Sequence, residues 1–170
     1  MTRLALLAVA LLVSACAAVA PAPVRLDGLP VSFEMSGRLS VARSGQGQIL
    51  RLRWDHGPGE DTWTLASPVG TEVARIERAE SGLVVHRPGA APMSASSFPE
   101  LSENLLGAAL DERLLVAWLH GRPIAGPEGW AVTIDESQRF GETEVARRIT
   151  ASRGDTTMKL VVDDYRRRSE

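Results

Sequence analysis

The chain has 170 residues and a formal net charge of −2, and arginine supplies almost all of its positive charge because Lys159 is the only lysine. This composition provides no basic field for nucleic acid. A lysine that follows Met158 cannot form the Gly-Lys-Ser/Thr core of a P-loop, so we expect neither a nucleic-acid partner nor ATP hydrolysis. The length fits a single domain.

The first sixteen residues have the pattern of a bacterial lipoprotein signal. Arg3 gives a short positive region, and residues 4–13 are apolar but too few to span a bilayer. The segment ends in Val13-Ser14-Ala15-Cys16, which resembles the lipobox, where a cysteine is acylated and becomes the first mature residue. The alternative is an ordinary secretory signal with an incidental cysteine. We favour lipidation of Cys16, because it is the only cysteine and lies at the expected cleavage site.

The residues after Cys16 indicate a location and a tether. The second mature residue is Ala17, whereas enteric-type bacteria use aspartate there to retain lipoproteins in the inner membrane, so we expect attachment to the outer membrane. Residues 16–30 are rich in alanine, proline and valine, which predicts a flexible tether. We therefore divide the chain into a signal peptide (1–15), a lipidated tether (16–30) and one domain (31–170).

Apolar and polar residues alternate from Phe33 onward, as expected for strands with one apolar face and one solvated face. The clearest runs are 33–41, 50–55 and 62–65, and weaker runs follow at 72–78 and 83–87. Turn-forming clusters separate these runs. Because no helix-length segment lies between them, the strands are expected to pair as an antiparallel meander.

After these strand runs, the spacing of apolar residues changes to that of α-helices, and two helices are predicted. Ser97 and Glu100 are spaced as a capping box and Gly107 as a stop, which predicts a helix over 97–107. A second helix is predicted over 111–120, ended by Gly121 and a following proline.

Strand patterning resumes at 130–134, 145–149 and 158–162, with a hairpin signal at residues 152–155 between the last two runs. The sequence therefore predicts a mainly β architecture of about eight to eleven antiparallel strands, interrupted by a helical pair.

No catalytic or metal-binding motif is present in the sequence. The three histidines, His56, His86 and His120, are scattered and lack ligand spacing. Neither the Gly-x-Ser-x-Gly elbow of serine hydrolases nor a Gly-x-Gly-x-x-Gly loop between a strand and a helix occurs. A single cysteine excludes an internal disulfide and a zinc site built on several thiolates. We predict a binding protein without enzyme activity, metal or cofactor.

Several phrases of the sequence resemble the LolB family and occur in the family's order. They are Phe33…Gly37-Arg38-Leu39, Trp54, Leu65…Pro68-Val69-Gly70-Thr71, Leu105-Leu106-Gly107 and Leu114…Trp118-Leu119-His120-Gly121-Arg122-Pro123. The resemblance covers about residues 33 to 165. It implies a LolA/LolB-like half-open antiparallel β-barrel, with a helical lid inserted between strands and an apolar cavity inside.

The resemblance also implies a function. Such a protein is an outer-membrane-anchored receptor that accepts acylated lipoproteins from a periplasmic, LolA-like carrier and releases them into the outer membrane without ATP. Burying acyl chains yields about 0.8 kcal/mol per methylene, so a multiply acylated protein does not cross water unaided. A receptor with a higher affinity than the carrier can accept this cargo without fuel. We expect the receptor to be a monomer.

Val69 is the residue that the resemblance singles out for delivery into the bilayer. Ser67-Pro68-Val69-Gly70 fits a type I turn, which places an aliphatic side chain at a loop tip. The family typically carries a leucine in this loop, and valine is smaller. The alternative is an incidental surface valine, since single exposed apolar residues are common.

Eight residues are candidates for the acyl-chain cavity. A filled β-core shows the same alternation as a hollow one, so the alternative for all eight is plain core. Two rival functions stay open: a scaffolding outer-membrane lipoprotein with a filled core, and a lipid-anchored periplasmic hydrolase. The chain also departs from the family in the short, proline-bound segment 24–31, where relatives often have a helix. The cavity candidates are Leu50, Leu52, Trp54, Trp63 and Leu65 from the strands, and Leu114, Leu115 and Trp118 from the second helix.

Overall fold

Strands with one buried and one exposed face form most of the computed structural model, which describes residues 28–80, 82–125 and 129–168. Two helices, α1 and α2, lie between the sixth and seventh of the nine strands in this part of the chain. The strands are β1 Phe33–Arg43, β2 Gln46–Gly57, β3 Glu60–Ala66, β4 Glu72–Ala79, β5 Gly82–His86, β6 Met93–Ala95, β7 Ala131–Phe140, β8 Thr143–Arg153 and β9 Thr156–Arg167; the helices are α1 Phe98–Leu106 and α2 Glu112–Leu119.

All nine strands belong to one antiparallel sheet with the order β6-β5-β4-β3-β2-β1-β9-β8-β7. The first strand pairs with the last at the centre of the sheet. The edges, β6 and β7, are not paired with each other in the described part of the chain, so the barrel stays open. The two helices connect these edges and lie on the apolar face. The structure thus confirms the open antiparallel sheet and the inserted helical lid.

The termini of α1 follow the predicted capping residues Ser97 and Gly107. The Ser97 side chain accepts a hydrogen bond from the Glu100 amide at 3.3 Å. Gly107 ends α1 in the left-handed conformation, with φ of 71°. The Glu100 carboxylate bonds to the Ser96 hydroxyl, so only half of the predicted capping box forms. In α2, the Asp111 carboxylate accepts a bond from the Arg113 amide at 2.8 Å.

The lid rests on the sheet through side chains. Phe98 at the start of α1 packs on Trp63 of β3, with 4.6 Å between ring centroids. At the other end of α1, the Arg43 guanidinium donates to the Glu103 carboxylate at 3.2 Å, and the Gln48 amide donates to the Leu105 carbonyl at 3.3 Å. Among the described residues, every apolar side chain assigned to the core lies between residues 29 and 165. A form of the protein that begins at Ala17 therefore retains this whole core.

Two strand segments were not predicted from the sequence. The three-residue β6 is too short to show a period, and the second half of β7, residues 135–140, lacks alternation because it is mostly polar. β7 is an edge strand and is largely exposed along its length, so its composition is not constrained by a core. The register is also irregular around Glu136.

The contact between β1 and β9 is closest at a bulge. The register shifts between Ser36 and Gly37. A Cβ atom on Gly37 would lie 2.3 Å from the Val161 carbonyl oxygen, so only glycine fits this position without movement of the backbone.

Candidate functional site

The strand candidates for the cavity share one face of the sheet. Strand pairing places Trp54 opposite Trp63 and Leu52 opposite Leu65, and the two tryptophan rings lie 5.8 Å apart between centroids. Leu50 continues the same face, and all five side chains are buried. This face is the one that the lid covers.

The lid candidates meet the sheet from the other side. Leu114 and Trp118 of α2 are fully buried, and Leu115 is partly buried against the same core. The Trp118 indole donates to the Ile124 carbonyl at 2.8 Å, and its ring meets Trp130 at 6.3 Å between centroids. All eight candidates therefore lie in one continuous apolar core, closed by the lid in this structure. Their contact with acyl chains stays a prediction.

Val69 lies at the tip of a closed turn. Its side chain is 90% exposed, the largest exposure among the large apolar residues of the described chain. The Gly70 amide donates to the Ser67 carbonyl at 2.9 Å, and the Ser67 amide donates to the Thr71 carbonyl at 2.8 Å. Gly70 has φ of 95°, which favours glycine. The turn thus holds an aliphatic side chain in water at a fixed place.

A buried charged cluster lies at the opposite end of the sheet from this turn. Asp61 is 2% exposed and accepts hydrogen bonds from the Trp54 indole at 2.7 Å, the His56 Nδ1 at 2.6 Å and the Arg78 guanidinium. His56 also packs on the ring of Phe33, with 4.7 Å between centroids. Residues from four strands form this cluster, which the sequence pattern did not reveal.

His120 packs against Phe33 as well, with 5.4 Å between ring centroids. Its Nδ1 donates to the Val116 carbonyl at 2.8 Å, and its Nε2 accepts from the Tyr165 hydroxyl at 3.0 Å. Burial lowers the pKa of His120 and raises the pKa of Tyr165 to about 12. Burial therefore favours the neutral form of the His120 ring.

The pH dependence of stability follows from His120. Because its pKa lies below the ordinary value of 6.5, the unfolded chain binds the proton more readily than the folded protein does. We expect the contribution of His120 to be complete above pH 6.5 and to be lost as the pH falls below that value. Urea unfolding between pH 7.5 and 5 would measure this loss, which His120→Gln should remove. An unchanged pH dependence in the variant would contradict the assignment.

Within residues 28–80, 82–125 and 129–168, no three histidine, cysteine, aspartate or glutamate side chains lie close enough to hold a metal ion. Among the same residues, neither helix has the length and apolar character needed to cross a membrane. The predicted signal peptide, Cys16 and most of the tether lie outside the described residues.

An open antiparallel sheet covered by an inserted helical pair defines the class of LolA-like folds. A LolA superfamily protein from Nitrosomonas europaea superposes with a TM-score of 0.55 at 10% identity, covering 86% of this chain and 90% of the other. A DUF1329 family protein from Desulfovibrio piger gives a TM-score of 0.56 at 8% identity, covering 81% and 86%. At these identities the likeness concerns the fold alone.

The family model described as "Outer membrane lipoprotein LolB" matches residues 31–165. The chain is 31% identical to the outer-membrane lipoprotein LolB of Thiobacillus denitrificans, over 97% of this chain and 98% of the relative. It is 28% identical to that of Chromobacterium violaceum, over 96% and 98%. The chain belongs to the LolB family.

Family membership decides between the functions that the sequence left open. The protein is an outer-membrane lipoprotein and a receptor of the lipoprotein localisation pathway. This family is non-enzymatic, so the hydrolase alternative was wrong, and so was the purely scaffolding role.

Proposed function

We propose that this receptor accepts acyl chains between its lid helices and the apolar face of the sheet, and releases them into the outer membrane at the Val69 turn. The observation that supports the proposal best is the lid itself. Two helices cover a continuous apolar face that includes Trp54, Trp63 and Leu65, and such a face offers acyl chains an apolar surface away from water. The cargo comes from a LolA-like periplasmic carrier, and the receptor acts as a monomer.

Movement of the lid is the step that admits the cargo. At the C-terminal end of α1, the partly buried Leu105 and Leu106 and exposed polar bonds from Arg43 and Gln48 contact the sheet. Exposed ion pairs contribute only about 0–1 kcal/mol. Opening the lid would expose apolar surface to water, which costs about 25 cal/mol of free energy per Å². An entering acyl chain covers that surface again, so transfer needs no ATP.

The tether is the second part of the proposal. Acylation of Cys16 and the chain 16–30 would attach the domain to the membrane that receives the cargo. The domain boundaries at residues 15 and 30 are part of this proposal.

Tryptophan fluorescence can test whether acyl chains enter the core. All four tryptophans, at positions 54, 63, 118 and 130, are at most 3% exposed, so a quencher in solution does not reach them. A soluble form beginning at Ala17 would be mixed with carrier loaded with a lipoprotein whose acyl chains are brominated. We expect the fluorescence to fall on transfer, and not to fall with the same lipoprotein carrying unbrominated chains. Transfer of the brominated lipoprotein without quenching would exclude the interior as its site.

Val69→Glu should separate acceptance from delivery. A carboxylate at the tip of the turn opposes entry into the apolar part of a bilayer but does not touch the core. We expect normal acceptance from the carrier and a loss of about tenfold or more in lipoprotein delivered to liposomes. Val31→Glu, at an exposed residue near the other end of the sheet, is the matched control. If Val69→Glu delivered as much lipoprotein as Val31→Glu, Val69 would have no role in delivery. If the unaltered protein accepted no cargo from the carrier, the transfer proposal would be overturned.

A further inference from the structure

The exposed apolar side chains of the described residues are concentrated at one corner of the sheet. Five large ones are exposed: Val31, Ile49, Val69, Val73 and Met93. Three of them, Ile49, Val69 and Val73, border the turn between β3 and β4, and their exposed fractions are 59%, 90% and 44%. We call these three residues the apolar corner.

Strand register brings the apolar corner together. The pairing of β2 with β3 ends at Arg51 opposite Ala66, and Ile49 lies two residues further toward the turn on the same face as Arg51. In the pairing of β3 with β4, Ala66 is opposite Glu72 and Leu65 is opposite Ala74. Val73 is therefore the extra residue of a bulge beside Ala66. Ile49 and Val73 thus flank the base of the turn that carries Val69.

A groove with arginine side chains begins beside this corner. It has a volume of about 550 Å³, and its lining includes Arg38, Arg51, Arg53, Thr64 and Ala66. Two of its guanidiniums are already paired with carboxylates: Arg38 with Asp163 at 3.0 Å and Arg53 with Glu34 at 3.6 Å.

Arg51 is the arginine of the groove nearest to the apolar corner. It is exposed and makes no ion pair within the described residues. Its guanidinium is available to an anion from outside the chain, and a guanidinium binds a phosphate with two parallel hydrogen bonds.

We propose that the apolar corner and Arg51 form a docking surface for a bilayer that contains anionic phospholipids. This inference rests on the proposed function and extends it from one loop residue to a surface. Val69, Ile49 and Val73 enter the interfacial layer, while Arg51 binds a lipid phosphate at headgroup level. Apolar side chains next to an unpaired cation match the layers of a membrane surface, where acyl chains lie beneath charged phosphates. Docking at this corner orients the receptor so that released acyl chains meet the bilayer at the turn.

Glu72 allows a second test of whether charge contributes to docking, because its charge is opposite to that of Arg51. It is adjacent to Val73, is exposed, and makes no ion pair within the described residues. Its carboxylate repels an anionic lipid phosphate. Removing that charge should therefore strengthen binding, whereas removing the charge of Arg51 should weaken it.

The experiment measures vesicle binding by flotation, with the soluble form that begins at Ala17 so that no acyl anchor contributes. Vesicles of phosphatidylcholine alone are compared with vesicles that also contain phosphatidylglycerol. We expect Arg51→Gln to lower affinity for the anionic vesicles about fivefold and Glu72→Gln to raise it by a similar factor. The double variant Ile49→Ser, Val73→Ser should lower binding to both kinds of vesicle about tenfold. Arg113→Gln on α2 and Met93→Ser on β6 are the matched controls.

The outcomes separate this docking surface from the transfer function. Acceptance of lipoprotein from the carrier is measured on the same variants and should be unchanged. The docking surface would be overturned if the control variants lost as much binding as Arg51→Gln or the double variant. It would also be overturned if Arg51→Gln bound anionic vesicles as well as the unaltered protein does. Absence of acceptance in the unaltered protein would contradict the proposed function instead, whatever the vesicle result.

Discussion

Asp61→Ala is expected to lower the free energy of unfolding by about 3–4 kcal/mol, because it removes a buried carboxylate that accepts three hydrogen bonds. The Arg78 guanidinium would lose its carboxylate, and the Trp54 indole and the His56 imidazole would each lose a hydrogen-bond partner. Unpaired polar groups in a buried site carry the full cost of desolvation. Urea unfolding of the soluble form at pH 7.5 would measure the change.

Asp163→Ala is the matched control for Asp61→Ala. Asp163 also accepts bonds from an arginine, Arg38, but both side chains are about half exposed. Exposed ion pairs of this kind contribute about 0–1 kcal/mol, so this variant should be close to the unaltered protein in stability. If the two variants lost equal stability, the burial of Asp61 would not explain the lower free energy of unfolding of Asp61→Ala.

Gly37→Ala should produce the second-largest change, a loss of about 3 kcal/mol in the free energy of unfolding. The new methyl group would meet the carbonyl group of Val161, which belongs to the backbone of the paired strand and does not move as a side chain would. The strands β1 and β9 would have to separate locally, at the centre of the sheet. Denaturation by urea, with far-UV circular dichroism as the signal, would measure the loss.

Gly57→Ala provides the comparison, since a Cβ at that glycine would come no closer than 3.4 Å, to the flexible Glu60 side chain. We expect a change within about 1 kcal/mol for this variant. If Gly37→Ala were as well tolerated as Gly57→Ala, the close approach at the bulge would not constrain the sheet.

Local patterns in the sequence predicted the elements whose causes are local. The alternation of β1 and the capping residues Ser97 and Gly107 depend on neighbours a few residues away, and each lies where it was expected. The pairing of β1 with β9 brings together residues more than a hundred positions apart, and alternation contains no information about partners. The strand β6 was missed because three residues are too few to show a period, and the second half of β7 was missed because a largely exposed strand needs no apolar period.

The same distinction applies to the candidate site. The Val69 turn is set by four consecutive residues and could be anticipated from them. The cluster around Asp61 and Phe33 could not be anticipated, because His56 lies in a strand and His120 follows a helix, and only the tertiary fold brings both to the Phe33 ring. The sequence suggested that these histidines are scattered, which is true of the chain but not of the folded protein. Whether the eight apolar candidates contact acyl chains stays a prediction.

The irregular edge strand β7 has a consequence for copies of the receptor that share a membrane. Molecules confined to a surface meet more often than molecules in solution, and a straight apolar edge would recruit a strand from a neighbouring copy. In β7 the register is disturbed on both sides of Glu136, and charged side chains such as Asp135 and Arg139 lie along the strand. A bent and charged edge of this kind disfavours fibril-like stacking. The β7 edge of this open sheet is therefore a poor template for a strand from a neighbouring receptor on the same membrane.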